Sequence, residues 1–249
     1  MILGCSEDDL LDSMRRVHQR HHDTEHPFAL LETDIVSSRF HGMTEREKHE
    51  VLDPAFHEFN ITRKNTLKLY DGVSDTLETL KASDVLIIAH TESRVFSAVD
   101  RLCRLGIADH FDRIYCREKN PTKHPLGPNA PVVQHLDKVF ELSKHQQKPD
   151  ATVLSEICSE IGCDADDVAY VGDSIVRDVA MAKSCGVLAI WARYGTAHDD
   201  GMYEQLVRVS HWTSEDVTRE KALKIAFQTV SPDIVIDAFP DLLKTEACQ

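Results

Sequence analysis

The sequence predicts an α/β protein, a doubly wound parallel sheet with a helical cap-like module at its N-terminal end. Three observations point there. From Tyr70 onward, short apolar segments without polar alternation recur, and each is followed by a stretch of helical periodicity. That is the pattern of parallel strands covered on both faces by helices. Before residue 70 the chain is charged, rich in histidine and almost free of β-branched runs, so it reads as helices alone. Finally, 42% hydrophobic residues with both charge signs supply a normal core and argue against disorder. A length of 249 residues allows one large domain or two small ones. Residues 1–69 are assigned to the cap-like module and residues 70–249 to the core.

In the front module, Ser6 with Asp8 and Asp9 reads as an N-cap and an acidic first turn. The helix they open runs to about Arg20, with Leu10, Leu11, Met14 and Val17 at helical spacing. Thr44-Glu45-Arg46-Glu47 has the spacing of a capping box and starts another helix. In the core, Ser74 opens a helix carrying Leu77 and Leu80, and the buried-type strand Val85–Ala89 follows. Val95, Phe96, Val99, Leu102 and Cys103 share one face of the next helix, which Gly106 stops. A short strand lies around Ile114–Cys116. Residues 117–147 read as an insertion: 117–131 is polar with four prolines and forms a loop, and Val132–Leu142 forms a short helix. A helix with Val153, Leu154, Ile157 and Ile161, the strand Val168–Val171, a helix from about Ile175 to Cys185 and the strand Val187–Trp191 resume the alternation. The tail adds the strand Ile234–Ile236 and a last helix near Pro240–Lys244.

Composition narrows the function. The 28 Lys and Arg against 42 Asp and Glu leave a net charge of −14, which repels phosphate backbones and excludes general nucleic-acid binding. No apolar run approaches the ~20 residues that a membrane helix needs. Met1 to Asp9 has neither a basic n-region nor an apolar h-region, so no signal peptide is expected. Seven cysteines, odd in number and without a Cys-x-x-Cys pair, read as reduced thiols and small core fillers, which makes a cytoplasmic location the expectation.

Parallel α/β sheets bind ligands at the carboxyl ends of their strands. Thr91 follows the strand ending at Ala89, Gly172-Asp173-Ser174 follows the strand ending at Val171, and Asp178 stands one turn later. Lys148-Pro149-Asp150 precedes the Val153 helix. Taken singly, these are ordinary residues: a helix cap, a turn, a solvated lysine. Together they make a set that can bind one phosphate and its metal. The Thr91 hydroxyl and Lys148 ammonium would hold phosphate oxygens, and the Asp173 and Asp178 carboxylates would hold Mg²⁺. The histidines carry less weight. His18 and His22 have the i, i+4 spacing of a metal pair, but no carboxylate stands in a His-Glu-x-x-His frame. The dense group His18, His21, His22 and His26 therefore reads as a solvated cap helix.

The succession of a strand reaching Thr91, then Lys148-Pro149-Asp150, then Val171-Gly172-Asp173-Ser174-Ile175-Val176-Arg177-Asp178 resembles the haloacid dehalogenase-like (HAD) hydrolase superfamily. These correspond to its second, third and fourth motifs. Asp71–Leu80, Leu105–Ile114 and Ser231–Asp237 are similar to its flanking segments, so the resemblance covers about residues 70–243. It implies a Rossmann-like core with a helical cap and a Mg²⁺-dependent hydrolase, a phosphatase acting on a small phosphorylated molecule. Dehalogenases belong to the same superfamily.

One motif is absent. The family's first strand ends in Asp-x-Asp-x-Thr or Val and supplies the aspartyl nucleophile and the general acid/base. Before the cap this chain has only Met1-Ile2-Leu3-Gly4-Cys5. Leu30-Leu31-Glu32-Thr33-Asp34 does not supply the motif, and Ile234-Val235-Ile236-Asp237 has Phe239 where the second Asp belongs. The expectation is a truncated HAD phosphatase, inactive as this chain, or alternatively a catalytically dead relative that binds a phosphorylated ligand or a protein partner. In the family fold the first strand lies between the strands ending here at Ala89 and Val171. Without it, those two strands must pair with each other, borrow a strand or leave backbone groups unpaired.

Overall fold

The computed structural model describes residues 3–26, 28–119, 137–197, 200–245 and 247. In the cap, α1 (Glu7–His21) starts at Ser6, whose hydroxyl accepts from the Asp9 N–H at 3.1 Å. It ends where His22 takes a left-handed conformation. The short α2 (Asp34–Arg39) follows a 3₁₀ turn at Ala29–Glu32. Then α3 (Glu45–Thr66) opens with the expected capping box: Glu47 N–H donates to Thr44 Oγ1, and Thr44 N–H donates to Glu47 Oε2 at 2.7 Å. Leu31, Val36 and Leu52 form the cap's own small core.

The core runs α4 (Val73–Ala82), β1 (Ile88–Arg94), α5 (Val95–Arg104), β2 (Arg113–Arg117), β3 (Val139–Leu142), α6 (Ala151–Ile161), β4 (Ala169–Gly172), α7 (Ala180–Ser184), β5 (Leu188–Ala192), α8 (Asp200–Val209), α9 (Ser214–Ala226) and β6 (Ile234–Ile236). All observed strand pairs are parallel. Alternate residues leave the sheets in opposite directions, as the pleat requires. Ile114 and Cys116 pack with Val95 and Val99 of α5, while Tyr115 packs with Val153 and Ile157 of α6. Likewise Ala189 faces Val179, Met181 and Leu154, and Ile190 faces Leu80 and Leu242. The α/β fold with helices on both faces is the one the sequence predicts. Among the described residues, no helix is long and apolar enough to cross a membrane.

Several local expectations are corrected. The first core strand is shifted three residues, to Ile88–Arg94, and Val85 and Leu86 stay exposed. Asp112 explains the shift: its carboxylate accepts the Ile87 N–H at 2.8 Å and the Lys81 ammonium at 2.7 Å, so the sheet begins only after Ile87. Residues 139–142, expected in a helix, form β3, because register beside β2 satisfies their backbone groups. Of the remainder of that expected helix, residues 132–136 lie outside the described residues, as do residues 120–131 of the proline-rich loop. The helix expected from Ile175 to Cys185 opens as a π-helical turn, Ile175–Val179, before α7. The helices α8 and α9 are absent from the sequence reading; α9 buries none of its residues, so no apolar stripe marks it.

The strands form two three-stranded sheets, β1-β2-β3 and β4-β5-β6. Among the described residues no strand lies between β1 and β4, and these two do not pair with each other. Instead side chains meet between them. His90 Nδ1 and the Tyr170 hydroxyl are 3.2 Å apart, with the two rings edge to face.

Candidate active site

Gly172 closes β4 and sets the geometry of the turn after it. A Cβ built on it would lie 2.3 Å from Asp178 Cβ and 2.4 Å from Asp178 Cγ, so only glycine lets the strand end pass under that side chain. The π-helical turn then brings Asp178 back over its own start. Ser174 C=O accepts from both Asp178 N–H (2.8 Å) and Val179 N–H (3.1 Å), and Asp178 Oδ2 accepts from Ser174 N–H at 3.0 Å. Gly172→Ala is therefore expected to destabilise the chain by about 1–3 kcal/mol, the usual cost of overpacking. Urea denaturation would measure it, and an unchanged midpoint would show that the turn yields freely.

Asp178 is buried, and its Oδ1 accepts from Lys148 Nζ at 2.8 Å. Burial alone disfavours the ammonium, but Tyr170 and Asp178 facing it outweigh that and raise the Lys148 pKa, so it remains a fixed positive charge. The Tyr170 hydroxyl, pushed up to about 12 mainly by burial, stays protonated. Asp173 sits at the mouth of the groove. Partial desolvation and then the charge of Asp178 push its carboxyl upward.

Thr91 lies where the β1 register is irregular, between His90 and Arg94, and its hydroxyl accepts the Ser93 N–H at 3.1 Å. Glu92 ties three segments together. One oxygen accepts the Lys148 N–H (3.1 Å) and the other accepts Arg177 Nη1 (2.7 Å), while Arg177 Nη2 donates to Glu220 of α9 at 2.9 Å. The four residues singled out from the sequence, Thr91, Lys148, Asp173 and Asp178, all line one groove of about 380 Å³. Sequence reading missed its other walls. Glu92 and Arg177 adjoin the motifs and could have been suspected from that adjacency. Asp23, Thr24 and Glu25 of the cap and His211 beyond α8 arrive only through tertiary contact, such as the 2.8 Å bond between Thr24 Oγ1 and His211 Nδ1.

His90 carries a pH signature. Burial first, then the Lys148 charge, lower its pKa from 6.5 to about 3. In the unfolded chain the imidazole takes up a proton below about pH 6.5, which the folded chain refuses, so stability falls as pH drops through that range. The slope approaches about 1.4 kcal/mol per pH unit for one such group. Chemical denaturation between pH 6.5 and 5 should show a steeper slope in the parent chain than in His90→Gln, the difference approaching this value. Equal slopes would show that His90 is not buried in the neutral form.

Fold and groove define the class: a capped, parallel α/β protein with its polar groove at the carboxyl ends of the strands. A family model described as haloacid dehalogenase-like hydrolase matches residues 15–186, beginning inside α1, and one described as HAD-hydrolase-like matches residues 146–242. The chain belongs to the haloacid dehalogenase-like hydrolase family. A phosphoglycolate phosphatase of Chromobacterium violaceum is 30% identical over 173 residues, 66% of this chain and 67% of that protein. An N-acetylmuramic acid 6-phosphate phosphatase of Pseudomonas aeruginosa is 23% identical over 146 residues, 59% of this chain and 51% of that protein. The chain thus spans about two thirds and about half of these relatives' lengths. In fold it is similar to the crystal structure of a 2-haloacid dehalogenase from Pseudomonas syringae pv. tomato, with a TM-score of 0.52 at 18% identity over 98% of this chain and 82% of that one.

Proposed function

We propose that this chain carries the phosphate- and metal-binding half of a HAD phosphatase for small phosphate esters, and that it binds without turning over. The observation that carries the reading is the shared groove of Thr91, Lys148, Asp173 and Asp178. The Thr91 hydroxyl and the fixed Lys148 charge would hold phosphoryl oxygens. The fit to Mg²⁺ rests on the donor set. Asp173 and Asp178 offer oxygen ligands only, held close enough to repel each other, an arrangement that a hard divalent cation relieves. When bound there, Mg²⁺ would supply positive charge to the phosphate oxygens. Both curated relatives are named for phosphatase activity on small phosphate esters, which supports this substrate class over a haloacid.

Hydrolysis in this family needs an aspartyl nucleophile, and electrostatic stabilisation by Lys148 cannot replace a covalent step. The purified chain is therefore expected to show no phosphomonoesterase turnover with a generic aryl phosphate. It should bind Mg²⁺ weakly in calorimetry, and lose that binding on Asp173→Asn. Robust hydrolysis abolished by Asp173→Asn would overturn the proposed inactivity and reveal a nucleophile elsewhere in the groove.

A further inference from the structure

The histidine-rich segment, expected to be a solvated cap helix, is partly buried, with His18 and His26 both enclosed. His18 turns inward, its Nδ1 2.7 Å from the Val209 carbonyl of α8, and His22 is exposed. A different pair converges. His21, the last residue of α1, and His26 stack with ring centroids 3.5 Å apart and planes 8° from parallel. Each Nε2 meets one oxygen of the same carboxylate, Glu32 at the end of the 3₁₀ turn, at 2.7 Å for His21 and 2.6 Å for His26. The sequence spacing hid this because the third group comes from a separate turn.

We propose that His21, His26 and Glu32 form a binding site for one first-row transition-metal dication, with zinc the best match. Their candidate ligand atoms all lie within 4.8 Å of one another, so one ion can reach all three. Two imidazoles and one carboxylate are a zinc-type donor set, whereas Mg²⁺ prefers oxygen alone. The His26 side chain is fully enclosed, while His21 and Glu32 are 24% and 32% exposed, which leaves a side open for entry and for a water ligand. Burial keeps His26 toward its neutral, ligating form, and the two imidazole contacts hold the Glu32 carboxyl below its usual range. On binding, a neutral imidazole's single proton moves from Nε2 to Nδ1, and the metal takes the Nε2 lone pair. Arg20, 3.6 Å from Glu32, is the nearby opposing charge, and its long side chain is 59% exposed.

The location gives the ion a task. Arg94, at the end of β1, donates to the His21 carbonyl at 3.2 Å and pairs with Asp23 at 3.1 Å, and Arg117 of β2 donates to the His22 carbonyl at 3.1 Å. Residues 23–25 form part of the groove wall. A metal joining His21, His26 and Glu32 closes the segment around these contacts and holds the cap onto the strand ends.

The test uses the full chain, stripped with a chelator and titrated with Co²⁺ and then Zn²⁺. The expected result is one Co²⁺ per chain with the visible absorption of a four- or five-coordinate nitrogen and oxygen site. It should lack a thiolate charge-transfer band, resist excess Mg²⁺ and be displaced by Zn²⁺. Glu32→Gln and His21→Gln should weaken binding by more than the roughly 10–100-fold typical of losing an outer-shell partner. His57→Gln, exposed on α3, should leave binding unchanged. Circular dichroism would confirm that each variant is folded. A parent chain that leaves Co²⁺ in its hexa-aquo spectrum, a thiolate band, or folded variants that retain full affinity would each overturn the proposal. If the variants fail to fold, the parent chain's spectrum decides alone. None of these readouts depends on phosphatase chemistry.

Discussion

Lys148→Met is expected to cost the folded chain about 3–5 kcal/mol, the range for removing one partner of a buried ion pair. The Lys148 and Asp178 side chains are only 14% and 6% exposed, so the carboxylate left behind has little water to replace the lost ammonium. It keeps the Ser174 N–H, a single neutral donor, against the full desolvation of its charge. Lys148 also stands 5.4 Å over the Tyr170 ring, which contributes a smaller attraction. Adding Asp178→Leu to Lys148→Met removes the stranded charge and should recover part of the loss. Urea denaturation of both variants measures the effect, and a loss below about 1 kcal/mol, typical of an exposed pair, would mean that the groove is wetter than its geometry indicates.

A larger gain is expected from supplying a strand for the space between β1 and β4, where none of the described residues forms one. An apolar segment ending in Asp-x-Asp-x-Thr, joined through a flexible linker, should raise the melting midpoint by about 10–20 °C. The gain comes from the facing edges of β1 and β4, which belong to separate sheets. A backbone group that the space between them buries without a partner would cost about 1–3 kcal/mol, and an added strand would supply partners. Domains are stable by only about 5–15 kcal/mol, so the unextended chain should melt low and resist concentration. The same extension should bring phosphatase turnover, since it delivers a carboxylate nucleophile beside Thr91 and Lys148. A parent chain that melts cooperatively above roughly 60 °C, beyond most mesophile domains, and gains nothing from the strand would show that the His90–Tyr170 contact already closes the slot.

The sequence alone determined the alternation of parallel strands and helices, the cap helix starts at Ser6 and Thr44, and four residues of the groove. These are local properties. Apolar runs, capping spacings and a glycine followed by a carboxylate act through neighbours within a few residues, so they are written in the order of the chain. The start of β1 was not legible, because Asp112, from a distant turn, takes the Ile87 N–H. Nor was β3, whose strand character comes from the β2 edge beside it. Only the tertiary structure decided that the four groove residues share one wall with Glu92, Arg177 and cap residues 23–25, and that Glu32 joins His21 and His26. It also decided that β1 and β4 stay apart, bridged by His90 and Tyr170. The reason is common to all three. A hydrogen bond or ion pair between residues far apart in sequence forms only when folding fixes both ends, so no local pattern encodes it.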